Sequence, residues 1–313
     1  MSSKIMPSMA IAALCLLACS KTRIDSSPNP IPVPIVVYDI VTTFAANAPA
    51  AKTVSIDATA GGTFTGNGGA RYTFPSNAFV TATGAPVTGS VTVRAAEMLN
   101  KSDMIFSGIL PISNGEPLIS GGEVYLKVTQ GSNTLRMAPG KMYTVSMPQK
   151  GTPVAGMQLF YASGAYKSTI DAGVNWQPNK DSTGATIVYN GDSISIISDS
   201  IGFANADRFM SNPQYQSITV TPTAAGKTFS KDSMVAYALY DEYNGVWPMA
   251  IYNNGRYVEG HVPNIPLHFL VVAIINGVMY AGTTGATPAT GTNYDVALTP
   301  ITSPELKAMV KAL

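Results

Sequence analysis

Cysteine is nearly absent from this chain. The two present, Cys15 and Cys19, both fall within the first twenty positions. Any folded domain beyond them therefore has no disulfide, no thiol nucleophile and no thiolate-ligated metal. Packing alone must hold such a domain, which suits units of about 100 residues or more. Charge is scarce too. Asp, Glu, Lys and Arg make up 12% of the chain, against about 25% in an average globular protein. The 19 basic and 18 acidic residues leave a net charge of +1. Such a balance has no electrostatic footprint for nucleic acid, and no polybasic run points to an anionic membrane surface. Histidine occurs twice, at 261 and 268. Seven residues apart, with Pro263 and Pro266 between them, the pair lacks zinc-ligand spacing and reads as structural or surface histidine. No Gly-x-Ser-x-Gly elbow supplies a serine nucleophile. After the N-terminus no apolar run reaches the 18 residues or so of a membrane span. The strongest, 267–275 (LHFLVVAII), has the length of a buried strand.

Hydrophobic residues make up 46% of the chain, enough for a substantial core. At the N-terminus, Lys4 precedes the apolar segment 9–18 (MAIAALCLLA), which has the length of a signal-peptide core. It ends Leu16-Leu17-Ala18-Cys19 and resembles the bacterial lipobox. The resemblance implies cleavage of 1–18 as a lipoprotein signal peptide, acylation of Cys19 (palmitate among the acyl groups), and attachment to the cell envelope, with the outer membrane as the expected location. Residues 19–34 form a Pro-rich tether. Pro28, Pro30, Pro32 and Pro34 fall on alternate positions, which favours extended chain and forbids helix. The acidic run associated with surface export in Bacteroidetes-like lipoproteins is missing after Cys19, so both the periplasmic and the surface face stay open.

The rest reads as all-β. Region 35–150 opens with IVVYDIVTTF and TVSID, two expected strands, and continues with short β-rich runs near 62–64, 71–74, 89–98, 123–130, 134–137 and 142–147. Gly, Pro and Asn punctuate them, as in a sandwich. Gly121-Gly122 permits positive φ or a close backbone approach. A bridging segment, 151–190, carries a strand at 156–162 and Trp176. Region 191–313 reads as a second, Ig-like sandwich with strands near 193–197, 217–222, 234–240, 247–252, 257–259, 268–275, 278–283 and 293–299. Asn276-Gly277 and Asn254-Gly255 are hairpin turns. A short C-terminal helix is expected with Ser303 as its cap, Pro304 in its first turn and Glu305 favouring its N-terminus.

Gly61-Gly62-Thr63-Phe64, followed by Tyr72-Thr73-Phe74-Pro75-Ser76-Asn77-Ala78-Phe79, resembles the opening of a ZU5 domain. Segments 89–98, Lys101-Ser102-Asp103-Met104 and 118–122 are similar to ZU5-like regions of Bacteroidetes lipoproteins, and 202–209 (GFANADRF) extends the likeness more weakly. The resemblance implies a β-sandwich that holds or contacts other proteins. Some ZU5-containing proteins cut themselves at a His-Phe-Ser step. Here the residues are His268-Phe269-Leu270, without the hydroxyl, so self-cleavage is not expected.

Few residues suggest chemistry. Asp241-Glu242 is the only adjacent acidic pair in the sequence, and neighbours on a strand would point to opposite faces, so the pair would converge only from a loop. Asp192, Asp199, Asp207 and Asp232 lie among Asn, Gly and Ser, the oxygen-rich setting of calcium loops, but without EF-hand spacing. They read as solvated turn carboxylates. No cofactor, metal site or catalytic residue is expected. The aromatic series Tyr240, Tyr243, Trp247, Tyr252 and Tyr257 is the candidate binding face, since exposed aromatics stack on sugars or anchor partners; the same residues would also suit a sandwich interior. The expected function is that of a non-catalytic envelope lipoprotein displaying β-sandwich modules for a protein or glycan partner. The alternatives are a glycan-directed envelope hydrolase, or an accessory subunit of one, and a purely structural envelope component.

Overall fold

The computed structural model describes residues 40–150, 153–167, 174–180, 184–211, 214–252, 257–286 and 291–313. The leader, Cys19, the tether and the Asn254-Gly255 turn lie outside them. Strands make up 52% of the chain and helices 11%, an all-β protein with a short C-terminal helix.

In chain order, helix α1 (Ile40–Asn47) precedes strands β1 (Lys52–Asp57), β2 (Gly62–Thr65), β3 (Arg71–Phe74), β4 (Phe79–Val80) and β5 (Ser90–Met98). Helix α2 (Lys101–Ser107) leads to β6 (Ile112–Ser113), β7 (Glu116–Gln130), β8 (Asn133–Thr134), β9 (Arg136–Met137) and β10 (Tyr143–Pro148). Then come β11 (Gln158–Ala162), β12 (Gln177–Pro178), β13 (Thr186–Asn190), β14 (Ser193–Ser198) and β15 (Phe203–Phe209). The last part holds β16 (Tyr215–Thr223), β17 (Met234–Tyr240), β18 (Val246–Pro248), β19 (Ala250–Tyr252) and β20 (Tyr257–Pro263). It closes with β21 (Leu267–Ile275), β22 (Val278–Ala286), β23 (Asn293–Ala297), β24 (Thr299–Pro300) and α3 (Ser303–Ala312).

Two sandwiches result. In the first, a sheet of order β1-β5-β7-β15-β11-β12, with β6 and β8 also on β7, faces a sheet of order β13-β14-β10-β3-β2. Alternation drives the pairing. Val91, Val93, Leu126 and Val128 from one sheet meet Tyr72, Val145, Ile194 and Ile196 from the other. In the second sandwich, β19-β20-β16-β23 faces β18-β17-β21-β22-β24. Its core joins Val220, Val258 and Val296 to Ala236, Phe269 and Val271. Among the described strands all pairings are antiparallel except β16 with β23.

The 193–197 segment, read with the second unit, belongs to the first sandwich. There β14 pairs with β10 (Tyr143↔Ser198) and with β13, while β15 pairs with β7 and β11. The bridging segment likewise contributes β11, β12 and β13 to that sandwich. Partner choice between distant strands is a non-local property that local alternation does not encode.

Of the strand expected in IVVYDIVTTF, residues 35–39 lie outside the described residues, and 40–44 are instead the start of α1. Ile40, Thr43 and Phe44 are its buried residues, at the i, i+3, i+4 spacing of a helix face. Phe44 meets Phe106 of α2 edge-on at 5.2 Å, and this packing overrides β-branched propensity. Helix α2 is itself well marked at both ends. Asn100 accepts from Asp103 N at 3.1 Å, and Gly108 closes the helix in the left-handed region (φ 67°). For α3 the capping residue is Thr302 rather than Ser303. The Glu305 carboxylate accepts from Thr302 N (2.8 Å) and Oγ1 (2.7 Å), and these bonds hold its pKa below the usual carboxylate range.

All three helices cover the outer face of the β17-β18-β21-β22 sheet, where Phe44, Ile105, Phe106, Leu306 and Val310 pack on Leu239, Leu270 and Val272. Helix α2 also turns Met104 toward the outer face of the first sandwich, against Met98, Leu118, Tyr125 and Trp176. The described residues thus form one compact unit. Among them no helix is long and apolar enough to cross a membrane.

Asn276-Gly277 is the two-residue turn between β21 and β22, with φ of 50° and 77° and Ile275 opposite Val278. Gly282 of β22 lies under the Ala297 carbonyl, where a Cβ would collide with backbone. Gly282→Ala is expected to destabilise the protein by about 1–3 kcal/mol through overpacking. Urea unfolding of the variant checks this, and an unchanged midpoint would contradict the packing described.

Candidate functional site

The aromatic series is divided by the fold. Tyr240 is fully buried in the second core, so it packs rather than binds; burial pushes its hydroxyl pKa far up. Tyr243 is half-buried in the loop after β17. Trp247 is half-buried on β18, packed against the second core on one side and facing a groove on the other. Tyr252 and Tyr257 are paired across β19 and β20; their side chains lie outside the described residues.

The Trp247 groove has a volume of about 670 Å³. β16, β18, β19, β20, Thr292 and the start of β23 line it. His261 stacks on Tyr215 with ring centroids 5.0 Å apart and planes 22° from parallel. Ser217 Oγ lies 3.3 Å from His261 Nδ1, and Thr219, Thr292 and Asn293 add hydroxyl and amide groups. Among the described residues the lining holds no Asp, Glu, Lys or Arg. The groove's described lining residues offer an indole face with neutral donors and acceptors beside it. That chemistry suits an uncharged, hydroxyl-rich ligand. The Tyr215–His261 stack carried no local signal in the sequence, because it depends on the pairing of strands more than 40 residues apart (Ser217↔His261).

A second concavity, of about 650 Å³, lies where the two sandwiches meet. Lys101, Lys150, Asp241, Glu242, Tyr243 and Lys311 are among its lining residues. Asp241 and Glu242 sit in a loop, so the strand argument against their convergence does not apply. Asp241 is however committed, with its Oδ1 2.6 Å from His268 Nδ1. Among the described residues no hydroxyl hydrogen-bonds to the other ring nitrogen of His268. Lys101 Nζ donates to the Leu313 main-chain oxygen at 2.7 Å. Burial chiefly pulls its ammonium pKa below the ordinary value; Asp241 opposes this and Lys150 adds to it. The cleft thus holds mixed charges that partly satisfy one another.

Asp192 and Asp232 are exposed turn residues, and Asp199 is half-buried. Asp207 differs from the sequence reading: it is fully buried within β15, because its strand is central in the larger sheet and helix α2 and Trp176 cover that face. No protein-family model matches the chain, and no curated protein matches it either.

Proposed function

We propose that the chain is a non-catalytic, lipid-anchored protein of the bacterial cell envelope whose second sandwich binds a neutral glycan in the Trp247 groove. The observation that carries the ligand class is the composition of that groove: a half-buried indole beside hydroxyl, amide and imidazole groups, without a carboxylate or a fixed cation among the described residues. Stacking of a sugar ring on the indole supplies affinity, and the polar groups supply orientation. The anchor rests on Leu16-Leu17-Ala18-Cys19 and the Pro-rich tether behind it. The ZU5-like likeness of the first sandwich supports a display scaffold, on which the lipid fixes location and the rigid sheets present the groove.

A glycan-directed hydrolase is the competing reading, favoured by the charged cleft that contains Asp241 and Glu242. Glycoside hydrolysis needs two carboxyl groups facing each other across a bond, about 5–9.5 Å apart. Asp241 is held by His268 instead.

Binding to a panel of neutral polysaccharides, read by affinity electrophoresis, tests the glycan reading. Trp247→Ala is expected to weaken retardation about tenfold or more, a loss of about 1.4 kcal/mol. Equal retardation of variant and wild type would remove the groove from consideration, and release of reducing ends would favour the hydrolase. For the anchor, Cys19→Ala is expected to abolish acyl labelling and move the protein out of the membrane fraction. Unchanged labelling would sink it.

A further inference from the structure

The first sandwich contains a buried acidic cluster that the glycan reading does not use. Glu123 on β7 stands opposite Asn205 on β15, and Asp207 stands opposite Ser120 after a register shift between Asn205 and Asp207. Paired residues share a sheet face, so these four side chains project together. They lie on the face away from the first core, beneath Met98, Met104 and Trp176. Glu123, Asn205 and Asp207 are fully buried and Ser120 is 3% exposed.

Their oxygens are poorly satisfied by the protein itself. Asn205 Nδ2 donates to Asp207 Oδ2 at 2.8 Å, which orients the amide and leaves its Oδ1 as an acceptor. Among the described residues, that Asn205 Oδ1, both carboxylate oxygens of Glu123 and Oδ1 of Asp207 have no hydrogen-bond partner. Buried acceptors left unpaired each cost free energy, and two buried carboxylates side by side cost more. Burial pushes both carboxyls well above the usual range and the Asp207 charge raises Glu123 further, while Trp176 beside Glu123, and Ser120, Asn205 and the Gly121 N–H beside Asp207, offset the shift only in part. Two carboxyl protons would bridge these oxygens and leave both acids neutral. A single cation would engage all four at once.

We propose that Glu123, Asp207 and Asn205 form a buried site for one hard divalent cation, of which calcium is the best match. The donor set contains oxygen only, which excludes the soft metals. Two carboxylates balance a 2+ charge. An enclosed set of side-chain oxygens suits the flexible, many-oxygen shell of calcium better than magnesium, which holds on to its waters. Ser120 belongs both to this cluster and to the wall of the cleft between the sandwiches, so the cleft supplies the access path. The ion would tie β7 to β15 at the centre of the larger sheet and thereby stabilise the fold.

The test is thermal unfolding of the purified chain, first stripped with EDTA and then titrated with CaCl₂, alongside equilibrium dialysis against radioactive calcium. The wild type is expected to bind about one ion per chain and to gain about 4–5 °C in Tm in millimolar calcium, the shift that occupancy near 100 Kd gives a protein of this size. Asp207→Asn is expected to lose most of both. No uptake by the wild type overturns the proposal irrespective of how the variant folds. An equal gain in Asp207→Asn would place the ion elsewhere and overturns it too.

Discussion

The structure depends on seven residues with two buried faces. Helix α2 leaves the first sandwich at β5, presents Met104 to that sandwich's outer face, and presents Ile105 and Phe106 to the outer face of the second. Five of its seven residues are buried. Burying side chains such as Ile105 and Phe106 contributes about 1.5–3 kcal/mol each. A helix this short would not hold alone; its tertiary contacts, the Asn100 cap and the Gly108 stop make it persist. Helix α1 and α3 pack around it, with Phe44 against Phe106 and Leu306 and Val310 in the same cluster.

Two consequences follow for function. Docking through α2 creates the cleft between the sandwiches, and it roofs the face of the larger sheet that carries Glu123, Asn205 and Asp207. The polar cluster is buried because the helix and Trp176 close over it. The Trp247 groove lies elsewhere, on the second sandwich, free of charged side chains among the described residues. In the proposed reading, display of a ligand and reinforcement of the scaffold are separate tasks in separate places.

Much of the fold was legible. The strands at 71–74, 234–240 and 278–283 were marked by alternation and punctuation, and Asn276-Gly277 by the backbone freedom its turn requires. What escaped was non-local. Ser193–Ser198 has the pattern of a strand in either sandwich, and only its pairing with Tyr143–Pro148 decides between them. Residues 35–44 read as β-branched strand, yet 40–44 open a helix because the aromatic contact with α2 supplies a reason to be one. The site shows the same division. Trp247 was visible as an aromatic of the second unit. Tyr240 had the same local appearance and became core, because strand alternation turns it inward. Asp207 looked like a loop carboxylate among small polar residues, yet it sits on a central strand with a bulge. Burial of an acid is set by what packs over it, and that information lies in α2 and Trp176, far away in sequence.

The chain carries two tryptophans, and each sandwich has one: Trp176 beside α2 on the first, Trp247 on the second. Trp176→Phe and Trp247→Phe leave a single fluorescent reporter in each half. The most direct measurement is urea unfolding of both variants, followed by fluorescence and by far-ultraviolet circular dichroism. If α2 welds the sandwiches into one cooperative unit, then within each variant the two signals move together, and each variant shows one transition with an m-value proper to the whole chain. Two separated transitions, with the fluorescence of each variant following only its own half, would contradict it.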